Sequence, residues 1–211
     1  MKVAAEGRGA SGNVFTAEQA SLAAASAGQV FPLGAPIPDV ELLDVHGTET
    51  TLHAEVGGRP AVIVLYRGAW CPYCNLTLRT YQEELLPGLL ERGALLIAVS
   101  PQKPDGSLSV QEKNALEFPV LSDPGNSIAR ALGVLTAPSA EVLAVQREHG
   151  LDLTKRNADG TAALPMPTTV LLDAAGHVRW LDVHPDYTTR SEPDTILEAL
   201  GRLISTSGPG R

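Results

Sequence analysis

Two continuous apolar runs stand in the middle of the chain, AVIVLY at 61–66 and ALLIAVS at 94–100. Both are rich in branched residues and neither alternates with polar positions, which is the pattern of strands covered on both faces. Between them, PYCNLTLRTYQEELLPGLLERG (72–93) carries apolar residues at Leu76, Leu78, Leu85, Leu86, Leu89 and Leu90. That spacing predicts a helix, bent near Pro87 and ended by Gly93. Residues 61–100 therefore predict a parallel β-α-β unit.

The flanking pattern extends this frame. Residues 31–52 enter extended through prolines and then predict a hairpin turning at Asp44–Gly47. After 100, a polar loop leads into a short helix (101–117), a short strand (118–123) and a short helix stopped by Gly133 (124–134). A further helix candidate (137–150) and a polar connection with a turn at Asp159–Gly160 follow. TTVLLD (168–173) and HVRWLDV (177–183) predict a hairpin, and EPDTILEALGRLI (192–204) a closing amphipathic helix. Near the start, TAEQASLAAASAG (16–28) predicts a helix with Thr16 as its N-cap and Gly28 as its stop. The expected division is an N-terminal extension (1–30), partly disordered or helical, one α/β domain (31–204) and a tail (205–211).

Composition narrows the function. The 211 residues are 44% hydrophobic with a formal net charge of −8. One domain with a sizeable core fits that length. The acidic balance argues against nucleic acid as a partner. No apolar run approaches the roughly 20 residues of a membrane span, and no signal-peptide pattern opens the chain. The expectation is a soluble, cytoplasmic protein.

The two cysteines, Cys71 and Cys74, lie in YRGAWCPYCNLTLR (66–79), where the first buried strand becomes the helix. The pair is a redox dithiol, half of a metal site or two inert core thiols. A zinc site needs four ligands, and the five histidines show no ligand spacing, so no metal or other cofactor is expected. A strand-helix junction favours the redox reading. Cys71 falls at the first turn, with Pro72 suited to the first helical position, where free N–H groups and the helix dipole stabilise an anion. Cys71 is therefore expected to have a depressed pKa and to act as nucleophile, with Cys74 one turn on as the resolving thiol. Trp70 and Tyr73 flank the pair as candidate lining of the access surface. Arg67 and Arg79 are nearby positive charges, and Arg67 is a candidate partner of the thiolate. The stretch PDYTTRSEP (185–193), with Asp186, Tyr187 and Arg190, is expected to be a solvated loop, with a cover over one edge of the active site as the alternative.

From Phe31 to Ile204 the sequence resembles the AhpC/TSA (redoxin, peroxiredoxin-like) branch of the thioredoxin superfamily. LGAPIPDVELLDVHGTETTL resembles that family's opening segment, PAVIVLYRGAWCPYC its strand and active site, and LLIAVSPQKPD the next strand and loop. FPVLSDPGNSIARALGV and PTTVLLDAAGHVRWLDV match later motifs in order. The resemblance implies a thioredoxin-like fold, a mixed central sheet flanked by helices, and places Pro167 as a cis-proline opposite the cysteines that helps bind substrate. It also implies a peroxidase in which Cys71 becomes a sulfenic acid and then a Cys71–Cys74 disulfide, recycled by a thioredoxin-type donor, and a possible homodimer.

Two departures open a second reading. The family carries Thr or Ser three residues before the peroxidatic cysteine, where this chain has Gly68, and an Arg where this chain has Pro167. Thioredoxin's buried acid position is Leu65. A thiol-disulfide oxidoreductase using the same pair is thus the alternative, with disulfide in place of peroxide as substrate.

Overall fold

The computed structural model describes residues 8–26 and 31–206. Seven strands form one sheet in the order β2 (Glu49–Thr51), β1 (Glu41–Leu43), β5 (Val120–Ser122), β4 (Leu95–Ser100), β3 (Ala61–Leu65), β8 (Thr168–Leu172) and β9 (Val178–Val183). Its centre is β3 (Ala61–Leu65) beside β4 (Leu95–Ser100), paired in parallel from Ala61↔Leu95 to Leu65↔Val99. These are the two apolar runs, and every residue of β3 is buried. The β5 strand (Val120–Ser122) adds in parallel to β4. The hairpin of β8 (Thr168–Leu172) and β9 (Val178–Val183) lies antiparallel on the other side of β3. The first hairpin, β1 (Glu41–Leu43) and β2 (Glu49–Thr51), turns at Asp44–Gly47 as expected, and Gly47 takes φ +82.

Side chains alternate between the two sheet faces, so one sheet supports two cores. Val62 and Val64 face a core shared with Leu78, Tyr81, Leu85, Leu89, Ile196 and Leu200. Ile63 and Leu65 face the other, with Leu42, Leu52, Ile128, Leu132, Met166 and Val170. The cysteines belong to the first.

The long helix predicted over 72–93 is three pieces: α3 (Pro72–Thr80), a π-helical turn (Tyr81–Leu85) and α4 (Leu86–Leu90). Pro87 has no N–H to donate, and the ladder slips just before it, where the Leu86 N–H donates to the Tyr81 carbonyl five residues back. The slip rotates the face of the helix. Leu90, beyond the slip, is exposed and Tyr81 is buried; Leu76 is exposed because it lies two residues from the buried Cys74 and Leu78, on the opposite face of α3. The chain then turns at Gly93 (φ +68), as expected.

Short helices α2 (Leu52–Val56), α5 (Pro104–Lys113), α6 (Ser127–Ala131), α7 (Ala140–Glu148) and α8 (Leu153–Arg156) fill the connections, and α9 (Pro193–Thr206) closes the first core. A small two-stranded sheet of β6 (Leu135–Thr136) and β7 (Leu164–Pro165) precedes β8. The α2 and α8 helices and this small sheet were not foreseen. The N-terminal helix α1 runs from Arg8 to Ser26, so Thr16 sits inside it and is not its cap. The alanine-rich stretch propagates a helix through a residue that would otherwise start one. The expected stop, Gly28, lies outside the described residues. Glu18 accepts a hydrogen bond from the Ser139 N–H at 2.8 Å, and Gln19 donates to Asp186 at 3.0 Å, which ties α1 to the domain.

Candidate active site

The dithiol sits at the C-terminal end of β3. Cys71 is the N-cap of α3, in extended conformation (φ −88, ψ 113), and Pro72 takes the first turn. A tight turn precedes it, with the Cys71 N–H donating to the Gly68 carbonyl at 3.1 Å. Gly68 has φ +144, and a Cβ there would lie 2.6 Å from Trp70 Nε1. The missing family hydroxyl therefore has a local cause: Trp70 occupies the space that Thr or Ser would need. The Gln102 side chain holds this turn in place. Its Oε1 accepts from the Ala69 N–H at 2.7 Å, and its amide donates to the Tyr66 hydroxyl at 2.9 Å. From the other side, Asn75 donates to the carbonyls of Ala69 (2.7 Å) and Cys71 (3.1 Å).

Both cysteines are free thiols and both are buried, at 2% and 1% exposure. They share a hydrogen bond. Burial works against a charge on Cys74, but the bond from Cys71 and the Arg190 guanidinium outweigh it and hold Cys74 down to about 6. Donation of its proton to Cys74, together with burial, pushes the Cys71 thiol up. Where a lowered pKa was expected at Cys71, the direction found there is upward, and the Arg190 contact favours the charge of the pair on Cys74. The backbone N–H of Cys74 in the first turn of α3 works in the expected direction on Cys71, but the bond to the Cys74 sulfur and burial outweigh it. The cation that fixes the charge touches the other sulfur.

That cation is Arg190, whose Nη2 lies 3.1 Å from Cys74 Sγ. It belongs to the segment expected to be a solvated loop, and that expectation is corrected too. Residues 184–192 form a strap across the dithiol. Arg190 Nη1 donates back to the Tyr187 carbonyl at 2.7 Å, which shapes the strap around its own guanidinium. The Ser191 hydroxyl donates to Asp182 at 2.7 Å, and His184 Nε2 faces the same carboxylate at 3.0 Å. The Tyr81 hydroxyl donates to the Ser191 carbonyl at 2.6 Å. The π-turn brings Tyr81 to that position. No spacing in the sequence links Arg190 to residues 116 positions earlier; the run of Asp, Tyr and Arg just before the last helix was the one available sign.

The Arg67 side chain is not hydrogen-bonded to either sulfur, although its backbone N–H helps to hold the Cys74 pKa down. Its guanidinium lies between two rings, 5.1 Å from the Trp70 centroid and 4.4 Å from that of Tyr187, and its charge lowers Cys71 by less than the bond to Cys74 and burial raise it. Tyr73 is half exposed at the rim, 6.5 Å ring to ring from Tyr187. Pro167 lines a groove with Arg67, Met166 and Tyr187, and neither cysteine, Trp70 nor Tyr73 is among the residues that line it. Arg79, by contrast, is exposed and pairs with Glu83. The expected cis bond at Met166–Pro167 is not present; every peptide bond among the described residues is trans. The Met166 N–H donates to Val134 and the Pro167 carbonyl accepts from the His184 N–H, so the chain runs extended from β7 into β8 with partners on both sides. An extended path suits the trans isomer, which X–Pro bonds favour by about 0.5–1 kcal/mol.

Comparison with known proteins decides the lineage. The sequence profile of the AhpC/TSA family matches residues 33–181. The chain belongs to the AhpC/TSA family. Among curated relatives, a Mycobacterium tuberculosis protein named as a candidate peroxiredoxin is 28% identical over 100 residues, which are 47% of this chain and 62% of that protein. The thiol-disulfide oxidoreductase ResA of Bacillus thuringiensis is 28% identical over 109 residues, 51% of this chain and 61% of that one. Both matches thus span less than two thirds of the relative. The crystal structure of the peroxidoxin BcpB from Mycobacterium tuberculosis superposes with a TM-score of 0.62 at 21% identity, covering 82% of this chain and 97% of that one. Within this AhpC/TSA member the fold is the expected thioredoxin-like one, a mixed sheet flanked by helices. No helix among the described residues is long and apolar enough to cross a membrane, and no group of three or more potential metal-binding side chains occurs among them.

Proposed function

We propose that the protein is a thiol-dependent peroxidase, cytoplasmic, working through Cys71 and Cys74 and recycled by a thioredoxin-type donor. The observation that carries this reading is the buried pair of free cysteines with the Arg190 guanidinium 3.1 Å from Cys74 Sγ. Cys74, held anionic by Arg190, is a base already hydrogen-bonded to the Cys71 proton. As peroxide arrives, that proton passes to Cys74 and the Cys71 sulfur attacks the terminal peroxide oxygen. The O–O bond breaks, the alcohol or water leaves with a proton from the medium, and Cys71 becomes a sulfenic acid. Cys74, again deprotonated beside Arg190, attacks that sulfur. The S–S bond forms and hydroxide leaves as water. Two electrons and two protons from a donor dithiol restore the pair.

The position of Cys71 supports it as the attacking residue. It caps the helix at the turn flanked by Trp70, while Cys74 lies deeper, beneath the strap. The trp-fluorescence change on rapid mixing of reduced protein with hydrogen peroxide tests the reading. A fast peroxide-dependent phase, abolished in Cys71→Ser and stopping at the sulfenic acid in Cys74→Ser, is expected. A slow reaction with peroxide alongside rapid reduction of a disulfide would replace it with the second reading, a thiol-disulfide oxidoreductase. One observation favours that second reading: the turn at Gly68 is packed by Trp70 and offers no hydroxyl to hold a peroxide.

A further inference from the structure

Arg190 is placed by the strap that carries it. An arginine side chain is long and has many rotamers, so something has to fix its fork. Its Nη1 donates to the carbonyls of Tyr187 and Thr189, both in the strap. The guanidinium therefore goes where the strap backbone goes. The strap lies between β9 and α9 and has no regular structure of its own. Whatever fixes residues 187–191 thus fixes the distance of 3.1 Å to Cys74 Sγ.

One imidazole–carboxylate pair meets both neighbours of Arg190. His184 Nδ1 lies 2.8 Å from the hydroxyl of Thr189, the residue before it. His184 Nε2 lies 3.0 Å from Asp182 Oδ2. The same oxygen accepts from the hydroxyl of Ser191, the residue after it, at 2.7 Å. A carboxylate only accepts, so Nε2 carries a proton. In the neutral ring Nδ1 accepts from the Thr189 hydroxyl. In the imidazolium Nδ1 donates, and the hydroxyl turns to the Asp186 carbonyl, 3.0 Å away. The bridge holds in either state. His184 is itself rooted in the sheet: its N–H donates to the Pro167 carbonyl at 2.8 Å, and its side chain is 16% exposed.

We propose that His184 is a positioning residue for the dithiol, holding the strap through Thr189 on one side and, with Asp182, through Ser191 on the other, so that Arg190 meets Cys74 Sγ. Neither ring nitrogen is hydrogen-bonded to a sulfur, so the effect on the pair passes through Arg190. The consequence for turnover rests on the peroxidase reading. There Cys74 must be a thiolate when its sulfur bonds to the sulfenic sulfur of Cys71 and hydroxide leaves. A strap that lets Arg190 drift leaves fewer molecules able to resolve.

The test follows the thiolate absorbance of reduced protein against pH. H184L removes both ring bonds at similar volume. The Tyr81 hydroxyl still holds the Ser191 carbonyl, so the strap should loosen without detaching. H184L should then show about two- to fivefold less thiolate at about pH 6, a smaller loss than in R190Q. H184Q keeps a donor toward Asp182 and H184N keeps one toward Thr189, so each should recover part of the loss. The double variant H184L/R190Q should titrate as R190Q alone, because the ring acts only through the guanidinium. A titration unchanged in H184L overturns the proposal, whatever happens to its melting temperature. A loss of the same size in the R190Q background overturns it too, since the ring would then act on the sulfur directly. If H184L does not fold, a wild-type titration in both H184Q and H184N overturns it instead. On rapid mixing with hydrogen peroxide, H184L should slow disulfide formation by a similar factor of about two to five. A shifted titration with no fast peroxide phase in wild type would leave the positioning role standing and reject the peroxidase reading; a fast phase with an unshifted titration in H184L does the reverse.

Discussion

Replacing Arg190 by Gln is the most direct probe of the dithiol. The substitution keeps a polar side chain of similar length and removes the charge that lies 3.1 Å from Cys74 Sγ. A hydrogen bond to a charged group contributes about 1.5–3 kcal/mol. One pKa unit corresponds to about 1.4 kcal/mol, so the loss amounts to about one to two units. The apparent titration of the pair, which starts with Cys74 held at about 6, should therefore move to about 7–8 in R190Q. The thiolate absorbance near 240 nm, followed against pH in reduced protein, measures this directly. R190K should fall between the two, because a lysine supplies charge without the planar fork. Stability must follow with a definite sign. The Cys74 pKa is depressed in the folded protein, so its contribution is present at high pH and lost as pH falls through about 6. The stability gap between wild type and R190Q should be widest above about pH 8 and close below about pH 6. A titration unchanged in R190Q, or a gap that widens toward acid, would refute the assignment of the charge to Cys74 under Arg190.

Three further predictions follow from the same geometry. Gly68→Thr restores the hydroxyl of the family pattern, but at φ +144 and against Trp70 it should cost about 1–3 kcal/mol in urea denaturation and bring no gain in peroxide rate. Tyr81→Phe leaves the Ser191 carbonyl without its 2.6 Å donor; it should cost about 1–2 kcal/mol and raise the apparent dithiol pKa, because the strap that presents Arg190 loses an anchor. Leu85→Ala in the π-turn empties a fully buried site and should destabilise by about 2–5 kcal/mol in the same denaturation assay, with the dithiol titration of the remaining folded protein unchanged.

Much of the frame was legible because its signals are local. The runs at 61–66 and 94–100 predict covered strands from composition alone, and they pair as the two central strands. The turn at Asp44–Gly47, the stop at Gly133 and the hairpin before the last helix each carry their own turn chemistry, and each is present. The cysteine pair at the strand-helix junction is also a local pattern. Leu76 and Leu90 mark the limit of this kind of reading. Leu76 stands two residues from the buried Cys74 and Leu78 and so faces solvent, and Leu90 lies beyond the hydrogen bond that slips ahead of Pro87.

The sequence by itself thus determined the strands of the main sheet, the turns and the position of the dithiol, since each depends on neighbours within a few residues. Tertiary structure decided where the charge of that dithiol rests. Helix geometry near Cys71 favours a thiolate there, but a charge buried between two sulfurs goes to whichever one meets a cation. Arg190 reaches Cys74 because β9 and Tyr81 carry the strap over the junction, and no local pattern encodes that approach. The trans bond at Pro167 and the space taken by Trp70 beside Gly68 are of the same kind. Each is settled by groups distant in sequence or folded back on the turn, whose contact exists only once the chain has packed.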